Sequence, residues 1–368
     1  MKPVNVTPGL KRRLHPVHRF VETAFHSLRY LFLEITARCN LNCRHCGSDC
    51  QKNESPNSLS VAQWQKVIDD IAATFEPSSV FLVVTGGEPL CHPRLSQILR
   101  QIRKHGFSFG LVSNGYSLTE EKLNALLQLK MASMTISLDG MQRQHDWLRG
   151  RNGSFQRAVA AIEMLAQSNI PIFDVVTCAH PGMLAQLPRI ESLLRDKGVS
   201  RWRLFSIFPK GRARINDNLI LNPSQLRFLL SYIANRRREL KNAPFQLDFC
   251  CEGFLPTALD FKVRTEPYFC RAGINIGSIL NDGAISACPN ISRTLVQGNV
   301  ITDDFKSVWE NRFQKFRERS WLKIGPCAKC KYWSGCQGNS MHLYDEKMGH
   351  TCVCHAAVAT ESRRFFIR

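Results

Sequence analysis

No window of the sequence approaches the roughly 18 unbroken apolar residues that a membrane-spanning helix requires. Its first twenty residues, MKPVNVTPGLKRRLHPVHRF, carry proline and charge where a secretory signal has an apolar stretch and a small-residue cleavage site. Neither a membrane span nor export is expected, and the chain reads as cytoplasmic. No repeat of fixed period and no low-complexity tract occurs, which excludes a solenoid. Acidic residues are also scarce: 30 Asp and Glu stand against 49 Lys and Arg, giving a formal net charge of +19. That imbalance calls for anionic partners, nucleic acid among them. The basic residues are nevertheless scattered, in clusters at 11–13, 201–203, 211–214 and 236–238, and aromatic side chains do not interleave with them as single-strand stacking needs. A solvated basic face or an acidic substrate is the better reading.

What the sequence has in abundance is cysteine, fifteen in 368 residues. In a reducing compartment thiols stay reduced, so metal or cluster ligation outweighs disulfides. The length allows about two domains with a sizeable core. From about residue 30, β-branched runs at 31–36, 80–85, 107–113, 132–138, 172–177 and 201–207 alternate with amphipathic helical stretches. Six β-then-α units in succession imply a parallel sheet with right-handed crossovers, doubly wound or barrel-like. The functional face of such a sheet is the carboxyl edge of its strands. Past about residue 245 the alternation ends and cysteine density rises, apart from a hairpin signal in INIGSILNDGAISACPN and a helix near FKSVWENRFQKFRERSW. The expected division is a basic extension over 1–28, a core over 29–242 and a cysteine-rich domain over 243–368, held by metal sites rather than by a large core.

Four polar motifs fall on the rim of the sheet: Cys39-x3-Cys43-x2-Cys46 after strand one, Gly86-Gly87-Glu88-Pro89 after strand two, Ser113-Asn114-Gly115 after strand three and Ser137-Leu-Asp-Gly140 after strand four. Three cysteines in one loop leave a metal centre one ligand short, whereas a structural zinc ribbon takes two pairs. An incomplete shell suits a cluster with an iron open to another ligand. Zinc and a chance run of thiols are the competing explanations. Cys50, four residues on, stands outside the three-residue motif and reads as a loop thiol.

The CxxxCxxC loop after a first strand resembles the radical S-adenosylmethionine (SAM) superfamily, and the strand order agrees over about residues 31–240. The resemblance implies an α/β fold, a partial (β/α)6 TIM-like barrel, with a [4Fe-4S] cluster on Cys39, Cys43 and Cys46 whose fourth iron is chelated by SAM. It further implies reductive cleavage of SAM to methionine and a 5′-deoxyadenosyl radical that abstracts hydrogen from a substrate, with an electron donor such as flavodoxin or ferredoxin. Carried over by position, Gly86 and Gly87 would let backbone approach the methionine end of SAM, and Glu88 would accept from its ammonium. Ser113 and Asn114 would add polar contacts, and Ser137 and Arg149 would serve the ribose and carboxylate, as in the peptide-modifying branch. A plain glycine turn, an Asn-Gly turn and a surface salt bridge are the bland alternatives for these positions. His45 stands where the superfamily often has an aromatic residue beside adenine.

The later cysteines resemble the SPASM extension, a small cysteine-rich α+β domain with auxiliary [4Fe-4S] clusters. By that resemblance Cys327, Cys330, Cys336 and Cys354, preferred over Cys352, would hold one auxiliary cluster; zinc is the alternative from spacing alone. A second would use Cys270 and Cys288, but the position of a further ligand is Ser340. That cluster is absent, or keeps an open iron, or recruits Cys250, Cys251, Cys352 or His342. Pro289 and Asn290 follow Cys288 where sulfatase maturases have an aspartate, which argues against that activity. A peptide or protein substrate is expected. Small-molecule cofactor biosynthesis or RNA modification by the same radical is the alternative, and a non-catalytic metal-bound interaction module a third.

Overall fold

The computed structural model describes residues 8–250 and 253–360. Cys251 lies outside the described residues.

The six expected strands form in order: β1 (Tyr30–Glu34), β2 (Phe81–Thr85), β3 (Ser108–Ser113), β4 (Ser133–Ser137), β5 (Ile172–Ala179) and β6 (Arg201–Ser206). All pair in parallel with their sequence neighbours. Period-2 burial explains their handedness of face. In β1, Leu31 and Leu33 enter the layer between sheet and helices, while Phe32 and Glu34 alternate onto the other face.

The sheet continues beyond both ends of this run. β7 (Gln246–Phe249) adds in parallel to β6, and β8 (Ile276–Ile279) adds in parallel to β1. β8 then turns through Gly283, at φ +84°, into antiparallel β9 (Ala284–Ser286), and β10 (Gly298–Asn299) completes a ten-stranded sheet. The hairpin signal therefore marks a real hairpin whose first arm is also the neighbour of β1.

The helices are α1 (Pro8–Phe25), α2 (Val61–Thr74), α3 (Leu95–Lys104), α4 (Glu120–Gln128), α5 (Gln142–Arg149), α6 (Ser154–Ala166), α7 (Leu187–Asp196), α8 (Pro223–Glu239), α9 (Thr257–Val263) and α10 (Phe305–Arg312). Both α2 and α8 begin at reciprocal capping boxes, Ser60 with Gln63 and Asn222 with Gln225, which satisfy backbone donors left open at a helix start. α1 lies in the stretch read as a basic extension. It docks on the cysteine-rich part through polar contacts: the His15 ring bonds the Tyr268 carbonyl at 3.0 Å, and Arg19 donates to Gln337 at 2.7 Å.

One expectation is corrected. The region after residue 243 is not short of an apolar core: Ile279, Ile285, Trp309, Phe313 and Phe316 are fully buried in the same apolar cluster as the barrel. No described helix is long and apolar enough to cross a membrane.

Candidate active site at the carboxyl edge of the sheet

The loop after β1 is held by hydrogen bonds to elements far away in sequence. Cys39 N donates to the Gln51 carbonyl at 2.7 Å, closing the loop's two ends. Asn42 and Arg44 amides bond the carbonyls of Arg149 and Leu148 at the end of α5. Arg212 reaches in from the 211–214 run: its Nε donates to the Cys43 carbonyl at 2.7 Å and its Nη1 to the Cys50 carbonyl at 2.9 Å. This arginine staples the loop, and Arg214 pairs with Asp345. That run therefore offers less free positive charge than its sequence suggests.

Each of the three motif sulfurs faces a nitrogen donor. Leu41 N lies 3.5 Å from Cys39 Sγ, Asn114 Nδ2 3.8 Å from the same sulfur, Arg149 Nη1 3.7 Å from Cys43 Sγ and Cys50 N 3.5 Å from Cys46 Sγ. Such donors stabilise thiolate ligands and tune a cluster's potential. Burial nevertheless pushes Cys39 up to about 12, whereas contact with the Cys50 thiol brings Cys46 down to about 6. Cys50 is buried in the same small group as Cys39 and Cys43. It sits against the motif, a proximity that spacing did not show.

The glycine pair has a direct steric reason. A Cβ on Gly86, at φ +137°, would lie 2.4 Å from the Thr36 carbonyl oxygen, and one on Gly87 would lie 2.3 Å from that of Arg38. The backbone of residues 36–38 runs over them, accepting from Gly87 N at 2.8 Å and Glu88 N at 2.9 Å. Gly87→Ala is expected to displace the cysteine loop and cut reconstituted iron content by at least half, measured against protein concentration.

Glu88 is fully buried, and burial raises its carboxyl. It accepts from Ser113 Oγ at 2.8 Å, Leu90 N at 3.1 Å and Asn114 N at 2.7 Å. A carboxylate offers about four acceptor positions, so roughly one remains for a ligand. Asn114 also donates to Asn40 Oδ1 at 2.8 Å, tying the third strand's end to the cysteine loop. Ser137 ends β4 on the same face as Thr135.

Arg149 ends α5, where Gly150 at φ +66° caps the helix. Its Nε lies 2.6 Å from Asp139 Oδ2, and both groups are buried. Asp139 also accepts from Cys178 N at 2.8 Å. Burial opposes the Asp139 charge, but Arg149, His45, His145 and the Cys178 amide together hold the carboxyl down at about 2. His45 Nε2 approaches the same carboxylate at 3.9 Å, and burial lowers its imidazole to about 3. Asp139 is the residue the motif reading passed over. It stands two positions after Ser137 in the same Ser-Leu-Asp-Gly stretch, so its cue was present.

A further acid went unread. Glu34, at the end of β1, is buried and receives a hydrogen bond from Ser48 of the cysteine loop; burial pushes it up to about 7, with Arg293 opposing. A folded value above the unfolded 4.5 means the folded chain binds the extra proton between these two values. Stability is therefore expected to fall as pH rises from about 4.5 to 7, by roughly 2–3 kcal/mol. Thermal melts across that window should show the decline in the native chain and a flatter profile in Glu34→Gln.

In the cysteine-rich part, Cys327, Cys330, Cys336 and Cys354 line one small cavity with Trp333 and Val353, and Cys352 is not among its lining residues. Burial raises Cys336 to about 12, with Cys354 the next cause. Cys270 and Cys288 are both half-buried. Burial acts to raise the Cys270 thiol, but the adjacent Arg319 guanidinium turns the balance downward, while burial takes Cys288 up to about 12. Ser340 is buried with its hydroxyl 3.2 Å from Tyr268 Oη. Of the alternative ligands, Cys250 Sγ accepts from Arg203 at 3.8 Å, and the His342 ring packs on Phe208 with centroids 4.5 Å apart.

Donor spacing tests what these cysteines fit. Zn–S bonds of about 2.3 Å place tetrahedral sulfurs roughly 3.8 Å apart. Among the described residues, only His45, Asp139 and Cys178 have ligand atoms all within 4.8 Å of one another, and Asp139 there is spent on Arg149. Neither cysteine set brings three sulfurs within that spacing, so neither is gathered as one tetrahedral zinc ion would need.

Comparison with known proteins agrees. The model of the radical SAM superfamily matches residues 33–186, and that of the SPASM iron-sulfur cluster-binding domain matches 270–331. The chain is 27% identical over 330 residues to the AdoMet-dependent heme synthase of Methanosarcina barkeri, covering 86% of this chain and 92% of that protein. It is 30% identical over 339 residues to the mycofactocin maturase MftC of Mycolicibacterium smegmatis, covering 89% and 82%. Its fold matches Streptococcus suis SuiB bound to the precursor peptide SuiA, with TM-score 0.69 and 14% identity over 98% of this chain and 83% of that one. SuiB bound to S-adenosylmethionine superposes with the same TM-score. Since two family models match in chain order and a relative of 30% identity spans most of both chains, this protein is a radical SAM superfamily enzyme with a C-terminal SPASM domain, a binder of SAM and of iron-sulfur clusters.

Proposed function

We propose that the protein modifies a peptide or protein substrate after abstraction of a hydrogen atom. The observation that carries this reading is the fold match along nearly the whole chain to SuiB in complex with its precursor peptide, supported by the 30% identity to a mycofactocin maturase. When bound, SAM on the open iron of a reduced cluster supplies the abstracting radical. The chain's own residues place it. In this reading Cys39, Cys43 and Cys46 hold the cluster, and the remaining acceptor position of Glu88 takes the SAM ammonium. Arg149, aligned by Asp139, faces the SAM carboxylate, while Ser137 and His45 serve the ribose and adenine. Cys327, Cys330, Cys336 and Cys354 would hold an auxiliary cluster, which would supply an electron-accepting group, and a flavodoxin or ferredoxin would be the external reductant. The test is anaerobic turnover of reconstituted protein with SAM, reductant and candidate precursor peptides. A peptide-dependent mass change is expected; no mass change with SAM cleavage intact counts against the reading.

A second reading, small-molecule biosynthesis, is favoured by the heme synthase relative, of which the chain covers 92%. Iron-coproporphyrin III in the same assay separates the two, since its conversion without any peptide product selects the second. RNA modification draws little support from charge, because Arg203, Arg212, Arg214 and Arg236 all pair with carboxylates of this chain.

A further inference from the structure

α1 is amphipathic in an unusual sense. His15, Arg19 and Glu22 face the cysteine-rich part, with Glu22 accepting from Asn275 at 2.5 Å and from Arg29 at 2.6 Å. Its apolar side chains are largely uncovered, and Phe20 and Phe25 are 74% and 73% exposed. A helix serving only to cover the module would bury that face. Beside it lies a cleft of about 630 Å³ between α1 and the loop that runs from Cys330 to Cys336.

The cleft is lined by Phe20, Phe254 and Tyr332 and carries the cations Arg19, Arg317 and Lys331. Arg19 and Arg317 donate to carbonyl or amide oxygens, and Lys331 lies 5.1 Å from the Tyr332 ring centroid. None of the three makes an ion pair with a carboxylate among the described residues, whereas the buried Arg149 and Arg264 do. The one acid in the lining, Asp260, lies 3.2 Å from Arg264 and accepts from Tyr268 N. Aromatic walls with unpaired cations suit a ligand that brings carboxylates and apolar anchors together.

We propose that this cleft and the outward face of α1 form a docking groove for an acidic, aromatic-bearing polypeptide segment, the substrate's own if the peptide reading above holds. The groove lies away from the SAM-binding loop in sequence and uses none of its residues, so docking and chemistry can be tested apart.

The test uses the full chain with its clusters loaded and two probes, fluorescein-EFDLEFDL and its basic twin fluorescein-KFKLKFKL, read by anisotropy. The acidic probe should bind at least tenfold more tightly than the twin, and its affinity should fall with added salt. Phe20→Ser and Lys331→Glu should each weaken the acidic probe at least tenfold, with iron content and peptide-free 5′-deoxyadenosine formation unchanged. Equal affinity for both probes, or indifference to both substitutions, would overturn the groove. Modification of a precursor peptide at native KM by the doubly substituted chain would also overturn it, while sustaining the peptide reading. Binding of the acidic probe that depends on Phe20 and Lys331, in a protein that modifies no peptide, would uphold the groove and remove its assignment to a substrate.

Discussion

Replacing Asp139 by alanine is expected to lower the melting temperature by roughly 10 °C and to raise the KM for SAM about tenfold. The pair it breaks is buried, with Arg149 Nε 2.6 Å from Asp139 Oδ2. Removing one member leaves an uncompensated charge in a low-dielectric interior, which costs about 3–5 kcal/mol and moves a melt by a few degrees per kcal/mol. The KM effect has a separate cause: Arg149 would lose the anion that sets its guanidinium plane, and bidentate recognition depends on that plane. Asp139→Asn keeps the shape and one acceptor but turns its NH2 toward one of the two donors and loses the charge, so it should fall between native and alanine. The sign with pH follows from the direction of the shift. A carboxyl held at about 2, below its unfolded 3.8, contributes stability that is complete above 3.8 and lost only as pH falls through about 2. The gap between native and Asp139→Ala melts should therefore stay constant from pH 5 to 9. Melts and SAM titrations on both variants check each part.

The second large effect separates cysteines that lie side by side. Cys43→Ala should remove about four irons per chain and take 5′-deoxyadenosine formation below detection, because two ligands cannot hold the SAM-binding cluster. Cys50→Ala should keep its iron. Its thiol touches Cys46, but what it gives that sulfur is chiefly a hydrogen bond, and the backbone donor at 3.5 Å survives the substitution. Iron and sulfide content with product formation on the two variants measures the contrast. Loss of iron from Cys50→Ala would mean the fourth cysteine takes part in assembling the cluster.

How much of this could be read without coordinates depended on how local each signal is. The six parallel strands were legible because each is a β-branched or aromatic run with an amphipathic helix behind it. β7 was not, since QLDF is four residues long and gains its place only by pairing with β6, and β8 showed as a hairpin arm without its parallel pairing to β1. α5 was missed because QRQHDWLR has no apolar period, its buried residues including His145, Asp146 and Arg149. The motif cysteines are spaced by local loop geometry and so show in sequence. Their supports do not: Arg212 acts on Cys43 from 169 residues away, and Asn114 reaches Cys39 from 75. The glycine pair was legible as a turn or ligand cradle, but its steric partner, the backbone of residues 36–38, needed the fold. Cys352 and Cys354, two residues apart, are separated by the cavity that includes one and not the other.

The measurement closest to the central claim is 5′-deoxyadenosine formation by anaerobically reconstituted protein given SAM and a strong reductant. The native chain should release methionine and 5′-deoxyadenosine in equal amounts, the Cys39, Cys43, Cys46 triple alanine variant none, and a Cys327, Cys330 double alanine variant a measurable quantity, since in the proposed reading only the first set holds the SAM-binding cluster. Absence of product from the native chain, or undiminished product from the triple variant, would contradict the account.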